Sequence, residues 1–185
     1  FFPLCSGGKV IVADNALHLP NLTAASEVTL INTVPSAIAE LLRQNAIPSS
    51  VRTINLAGEA LANKLVQEIY NRTTVEKVYN LYGPTESTTY STFTQIEKGT
   101  TVAVTIGRPL ANTKVYIVDK HLQPVPIGVA GELLIGGMGL ARGYLNRSSD
   151  TAEKFISNPF AADTDSRVYK TGDLVRYKND GRITY

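Results

Sequence analysis

Short apolar runs alternate with helical stripes through the first half of this chain. Lys9-Val10-Ile11-Val12-Ala13 has the pattern of a buried strand ending at Asp14-Asn15, and Val28-Thr29-Leu30-Ile31 that of a second. Pro35 then opens a helix whose Ile38, Leu41 and Leu42 recur at i, i+3 and i+4, and Asn45 and Pro48 close it. Val51-Arg52-Thr53-Ile54-Asn55-Leu56 predicts a third strand. Leu61, Leu65 and Ile69, spaced by four, predict a second helix, and Val75 to Leu81 a fourth strand. Strand, helix, strand, helix, strand is the order of a layered α/β arrangement: a parallel-rich sheet with flanking helices.

The pattern changes near Gly99. Beyond it Val115-Tyr116-Ile117-Val118 and Glu132-Leu133-Leu134-Ile135 predict strands, with Pro124, Pro126 and Gly128 turning the chain between them. Asp150 to Phe155 predicts a short helix, and Arg167–Tyr169 and Leu174–Tyr177 two further strands. The expected division is a partial α/β subdomain over 1–98 and a β-rich, barrel-like subdomain over 99–185.

Composition narrows the classes. The chain has 185 residues, 43% of them hydrophobic and 18% charged, which suits a packed core rather than disorder. Net charge is only +2 and basic residues are scattered, so no nucleic-acid partner is expected. The opening Phe1-Phe2-Pro3-Leu4-Cys5 is too short to span a membrane and has no basic lead-in. The single cysteine, Cys5, forms no disulfide framework and fits a reducing, cytoplasmic setting. His18 and His121 have no partner at metal-ligand spacing, so zinc is not expected. With no initiator Met and a last run Gly181-Arg182-Ile183-Thr184-Tyr185 that stops in strand-like sequence, the chain has the ends expected of a piece of a longer protein.

The chemistry gathers where predicted strands end. Asn32-Thr33, Asn55 to Glu59 and Asn80 to Glu86 follow three successive strands. Ligands of open α/β sheets bind outside the carboxyl ends of strands, so these ends suggest one pocket, although ordinary turns also favour Asn, Gly and Pro. Asn80-Leu81-Tyr82-Gly83-Pro84-Thr85-Glu86 joins an aromatic ring, a turn, a hydroxyl and a carboxylate: groups that can stack on a base, face phosphates and hold a hard cation. Tyr169-Lys170-Thr171-Gly172-Asp173-Leu174 sets a carboxylate at a Gly turn, where it can accept from two hydroxyls of a sugar or simply close an Asx-type turn. Gly131-Glu132-Leu133-Leu134-Ile135-Gly136-Gly137-Met138-Gly139-Leu140-Ala141-Arg142-Gly143-Tyr144-Leu145 is Gly-rich, but it lacks the Lys-Ser/Thr ending of a P-loop and does not open a helix; its glycines are expected at hairpins and bends.

In this order and spacing the three runs resemble the adenylation domain of a nonribosomal peptide synthetase, within the acyl-adenylate-forming, AMP-binding superfamily. The likeness covers nearly the whole chain, but only part of that family's large N-terminal region. It implies ATP and Mg²⁺ as cofactors, an amino-acid substrate, and peptidyl carrier and condensation domains as partners, with phosphopantetheine on the carrier. By that resemblance Tyr82 stacks on adenine, rimmed by Asn80, Gly83, Gly58, Glu59 and Ala60. Thr85 meets phosphate, Glu86 holds Mg²⁺, and Asp173 and Tyr185 take the ribose. Thr85 and Glu86 are the residues it gives to catalysis. Asn32, Asn55, Ala57, Leu81, Thr89 and Tyr90 line the amino-acid pocket, and this set, uncharged with bulky Leu81 and Tyr90, resembles those for alanine or glycine.

The family's phosphate loop, the aspartate that grips the substrate amino group and the C-terminal catalytic lysine are not in this sequence. The 185-residue piece alone is therefore expected to be inactive. Rival readings are an acyl- or aryl-CoA synthetase, and a non-catalytic nucleotide-binding remnant.

Overall fold

The computed structural model describes residues 2–161 and 166–185. The chain divides into two compact units, Phe1–Tyr79 with Ile96–Val102, and Asn80–Gln95 with Ala103–Tyr185.

In the first unit a short helix α1 (Phe2–Cys5) and two 3₁₀ turns lead to strand β1 (Leu30–Thr33), helix α2 (Pro35–Arg43), strand β2 (Thr53–Leu56), helix α3 (Asn63–Arg72) and the start of strand β3 (Lys77–Tyr82). β1 and β2 are parallel, and β3 is the next neighbour of β2. Pro35 occupies the first turn of α2, where a missing N–H costs nothing. The stripe Ile38, Leu41 and Leu42 is buried as its spacing predicts. On α3 the buried residues are Val66, Ile69 and Tyr70, not Leu61 and Leu65. The helix starts only at Asn63, so Leu61 precedes it, and the stripe is turned toward Tyr70. The Tyr70 hydroxyl pins that face, donating to the Ile96 carbonyl (2.7 Å) and accepting from the Val78 N–H (2.9 Å).

The predicted strand Lys9–Ala13 does not form: this stretch is irregular, with Val10 52% and Val12 85% exposed. Its continuous apolar run meets no partner strand among the described residues, and an unpaired strand loses its ladder. A cleft of about 750 Å³ lies between this stretch and β1. Asn32 is the one predicted site residue that lines it.

The second unit holds the end of β3, β4 (Thr92–Ile96) and β5 (Arg108–Pro109), neighbours in that order. It also holds an antiparallel sheet of β6 (Thr113–Val118), β7 (Gly131–Gly137), β8 (Phe155–Ser157), β9 (Arg167–Tyr177) and β10 (Ile183–Thr184), with helix α4 (Ser148–Lys154) before β8. β7 is apolar through Leu133–Ile135 because both its faces are covered there. Leu133 and Ile135 pack with Ile106, Ile117, Val175 and Ile183, whereas Leu134 packs with Val118 and Val168 on the other side.

The β-rich half is an open sheet, not the barrel its sequence suggests. The order runs β10-β9-β7-β6, and beyond β10 it continues, among the described residues, only as a single bridge between Ile183 and Gly107. β10 is only two residues long, and β8 and β10 pair with β9 at opposite ends, so no full-length edge remains to meet β6. Arg167–Tyr169 and Leu174–Tyr177 are not two strands but one, continuous through Thr171-Gly172-Asp173. Among the described residues no helix is long and apolar enough to cross a membrane.

Candidate nucleotide and amino-acid site

The first unit contributes strand ends. Asn32 and Asn55 are register partners on the parallel strands β1 and β2, so their side chains share one face. The opposite face buries Ile31, Ile54 and Leu56. Ala57 follows β2 half-buried, and Gly58, Glu59 and Ala60 are exposed. Glu59 already has a structural task. Its carboxylate accepts from the Ser36 N–H (2.9 Å) and the Ser36 hydroxyl (2.8 Å) at the start of α2. The N-cap of α2, Val34, has no side-chain cap bond, so Glu59 supplies from a distance the negative charge a helix N-terminus favours. Glu59→Ala is expected to lower the melting temperature by about 3 °C, read by calorimetry.

In the second unit the turn after β3 is fixed by backbone contact. The Ser91 N–H donates to the Tyr82 carbonyl (2.7 Å), folding Thr89–Ser91 back over Gly83. A Cβ on Gly83 would lie 2.6 Å from Ser91 N, 2.7 Å from Tyr90 Cα and 2.8 Å from the Thr89 carbonyl oxygen, so no other residue fits without moving backbone. Thr88 and Thr89 take left-handed φ of 58° and 77°, a conformation costly for β-branched residues. This presents Thr89 at the surface and leaves Tyr90 and Leu81 half-buried. Thr85 opens a 3₁₀ turn with Glu86 and Ser87 and is exposed. Asn80 is buried, and its amide donates to the Thr105 carbonyl (2.9 Å).

Tyr82, Asp173 and Tyr185, far apart in sequence, come together. The Tyr82 hydroxyl donates to Asp173 Oδ2 (2.5 Å), and the Tyr82 and Tyr185 rings meet edge to face with centroids 6.1 Å apart. Burial, and then the Asp173 carboxylate, push the Tyr82 hydroxyl pKa far above its usual value. Burial and the same carboxylate push Tyr185 up to about 12.

Asp173 reaches this position through a bulge. Glu132 pairs with Leu174 and Leu134 with Lys170, so Thr171, Gly172 and Asp173 all face the single residue Leu133. Gly172 takes φ 77°, which glycine adopts freely. The Thr171 hydroxyl holds the bulge, donating to the Leu133 carbonyl (2.7 Å) and accepting from the Asp173 N–H (3.0 Å).

Glu86 has surroundings its sequence run does not reveal. The Tyr144 hydroxyl donates to its Oε1 (2.5 Å), and the Tyr169 hydroxyl also hydrogen-bonds it. Phe155 packs against both tyrosine rings. Burial opposes ionisation of Glu86, but Tyr144, its own backbone N–H, Tyr169 and nearby Lys154 outweigh it and hold the carboxyl below its usual pKa. Magnesium at a nucleotide needs one or two carboxylates, with phosphates and water completing the shell. A half-buried carboxylate kept ionised and aimed by tyrosine hydroxyls fits that requirement. Among the described residues no group of three His, Cys, Asp or Glu could hold a metal alone.

Sequence reasoning gives no role to Tyr144, Tyr169 or Thr171, though all three stand inside the runs that draw attention there. The signal is a tyrosine or threonine beside each acidic or glycine-rich element, legible only once the pairing of β7 with β9 is known.

The geometry agrees with relatedness found by comparison. The family model described as AMP-binding enzyme matches residues 1–145. The chain is 63% identical over its whole length to one of the linear gramicidin synthase proteins of Brevibacillus parabrevis, of which it spans 4%. A holo four-domain nonribosomal peptide synthetase bound to AMP and glycine superposes with a TM-score of 0.80 at 33% identity, over 92% of this chain and 13% of that one. The Vibrio cholerae adenylation domain AlmE, in complex with glycyl-adenosine-5'-phosphate, superposes with a TM-score of 0.77 at 28% identity, over 91% of this chain and 32% of that one. The chain thus spans a small part of the proteins it matches, and it belongs to the family of AMP-binding enzymes.

Proposed function

We propose that this chain is the nucleotide-binding and substrate-selecting part of an amino-acid-activating adenylation domain of a nonribosomal peptide synthetase. The observation that carries the reading is the convergence of Tyr82, Asp173 and Tyr185: an aromatic plate, a bulge-borne carboxylate and a second ring around one spot. A base stacks on the Tyr82 ring, and a ribose diol donates to Asp173. Asn80, Gly83 and the Gly58-Glu59-Ala60 segment are assigned to the adenine rim, and Thr85 to phosphate.

The reaction is attack of an amino-acid carboxylate on the α-phosphate of ATP. An oxygen–phosphorus bond forms, the bond to pyrophosphate breaks, and aminoacyl adenylate results. The carboxylate is already ionised near neutral pH, so no general base is needed. Thr85 and Glu86 position phosphate charge, and catalysis rests on orientation and charge stabilisation. Magnesium, held by Glu86, supplies neutralisation of phosphate charge. The acyl group then passes to a phosphopantetheine thiol on a carrier domain. The same reading assigns a condensation domain as the second partner and a cytoplasmic setting.

Asn32, Asn55, Ala57, Leu81, Thr89 and Tyr90 are assigned to the amino-acid pocket, and a small substrate, alanine or glycine, fits their bulk and lack of charge. The glycine and the glycyl adenylate held by the two superposed structures support this choice. Pyrophosphate exchange by the complete domain is expected to favour alanine and glycine over leucine, phenylalanine and arginine. Preference for any of those three sinks the assignment. Free coenzyme A as the preferred acyl acceptor would point instead to an acyl-CoA synthetase.

A further inference from the structure

Stacking needs only the ring of Tyr82, yet the residue is a tyrosine whose hydroxyl is fully engaged. The ring packs on the core formed by Ile106, Ile117, Leu133, Ile135, Val175 and Ile183, which fixes where the hydroxyl points. It points at Asp173 Oδ2, 2.5 Å away. Asp173 stands on a bulge outside the regular ladder; its backbone N–H is tied to Thr171, and Tyr185 also hydrogen-bonds its carboxylate.

We propose that the Tyr82 hydroxyl is a positioning group for Asp173, setting the carboxylate so that its remaining acceptor sites face a vicinal diol. The inference rests on the ribose reading of Asp173 given above. A carboxylate has roughly four lone-pair sites, so with Tyr82 and Tyr185 each taking one, about two remain for two sugar hydroxyls. A neutral hydroxyl donating to a carboxylate makes a strong, directional bond and leaves the charge in place. One side chain then reads two parts of the nucleotide: its face meets the base, and its hydroxyl sets the group that meets the sugar.

The test is steady-state exchange by the complete adenylation domain with ATP and with 2′,3′-dideoxy-ATP. For Tyr82→Phe, KM for ATP is expected to rise about tenfold, with the smaller share of the loss in kcat. With 2′,3′-dideoxy-ATP, which cannot use Asp173, the same substitution is expected to change KM by less than about twofold. In an Asp173→Ala background Tyr82→Phe should add no further loss. Equal losses with both nucleotides, no loss with ATP, or collapse of the melting transition of Tyr82→Phe would each overturn the proposal. They would leave the hydroxyl a structural or incidental role. Wild-type protein that uses 2′,3′-dideoxy-ATP as well as ATP would remove the ribose reading of Asp173 itself, and the proposal with it.

Discussion

Glu86→Gln is expected to lower pyrophosphate exchange by about two to three orders of magnitude. The amide keeps the shape of the carboxylate, and its oxygen can still accept from Tyr144 and Tyr169, so the melting temperature should shift by no more than about 2 °C. What the change removes is charge. Glu86 is held ionised against its own burial by two tyrosine hydroxyls, its backbone N–H and Lys154. Such surroundings suit a carboxylate that must be negative and aimed. Calorimetric titration of ATP should separate the parts of the loss. In the variant, added magnesium should improve nucleotide binding much less than it does in the parent. Unchanged exchange would remove Glu86 from the catalytic set, and a collapsed melting transition would make its role architectural.

The second large effect is expected from Gly83→Ala. The added methyl would press on the Ser91 nitrogen, the Tyr90 Cα and the Thr89 carbonyl, all backbone atoms that cannot rotate aside. Relief requires breaking the 2.7 Å bond between the Ser91 N–H and the Tyr82 carbonyl. The expected cost is about 1–3 kcal/mol of stability, with a loss of exchange exceeding that of a surface substitution by at least about tenfold. Because the displaced segment carries Thr89 and Tyr90, the ratio of alanine to glycine turnover should change as well. Thermal melting with paired kinetics for the two amino acids checks this. A variant with wild-type stability and ratio would show that the Thr89–Ser91 segment does not depend on its approach to Gly83.

Much of the fold is legible from periodicity. α2 is plain because its helical spacing, its Pro35 start and its Asn45 stop all agree. Lys9–Ala13 misleads because a short apolar run shows that a segment can be buried, not whether a neighbouring strand exists to pair with it. The stripe on α3 reads one turn early because Leu61 looks helical in isolation but precedes the first helical residue. β9 reads as two strands because Thr171-Gly172-Asp173 has turn chemistry. Only the partner strand turns that chemistry into a bulge.

At the site, side chains with unusual chemistry are legible and their supports are not. Tyr82, Asp173 and Glu86 announce themselves by type within short runs. Tyr144 lies 58 residues from Glu86, and its hydroxyl becomes meaningful only once folding brings the two together. Asn80 and Glu59 teach the converse. Both stand in the stretches that suggest ligand contact, yet each directs its polar group to the protein: Asn80 to the Thr105 carbonyl, Glu59 to the start of α2.

The bulge in β9 also counts residues. Pairing with β7 resumes past it offset by an even number, so the strand faces on either side stay in phase. Deleting Gly172 and Asp173 would restore an unbroken ladder and leave Leu174 and Val175 facing as they do now. A relative could thus lose the carboxylate proposed to bind the sugar in a single small deletion and keep a sound sheet. Among relatives of this chain, an uninterrupted β9 would, on the proposed role of Asp173, be the mark of a domain that has kept its architecture and given up its nucleotide.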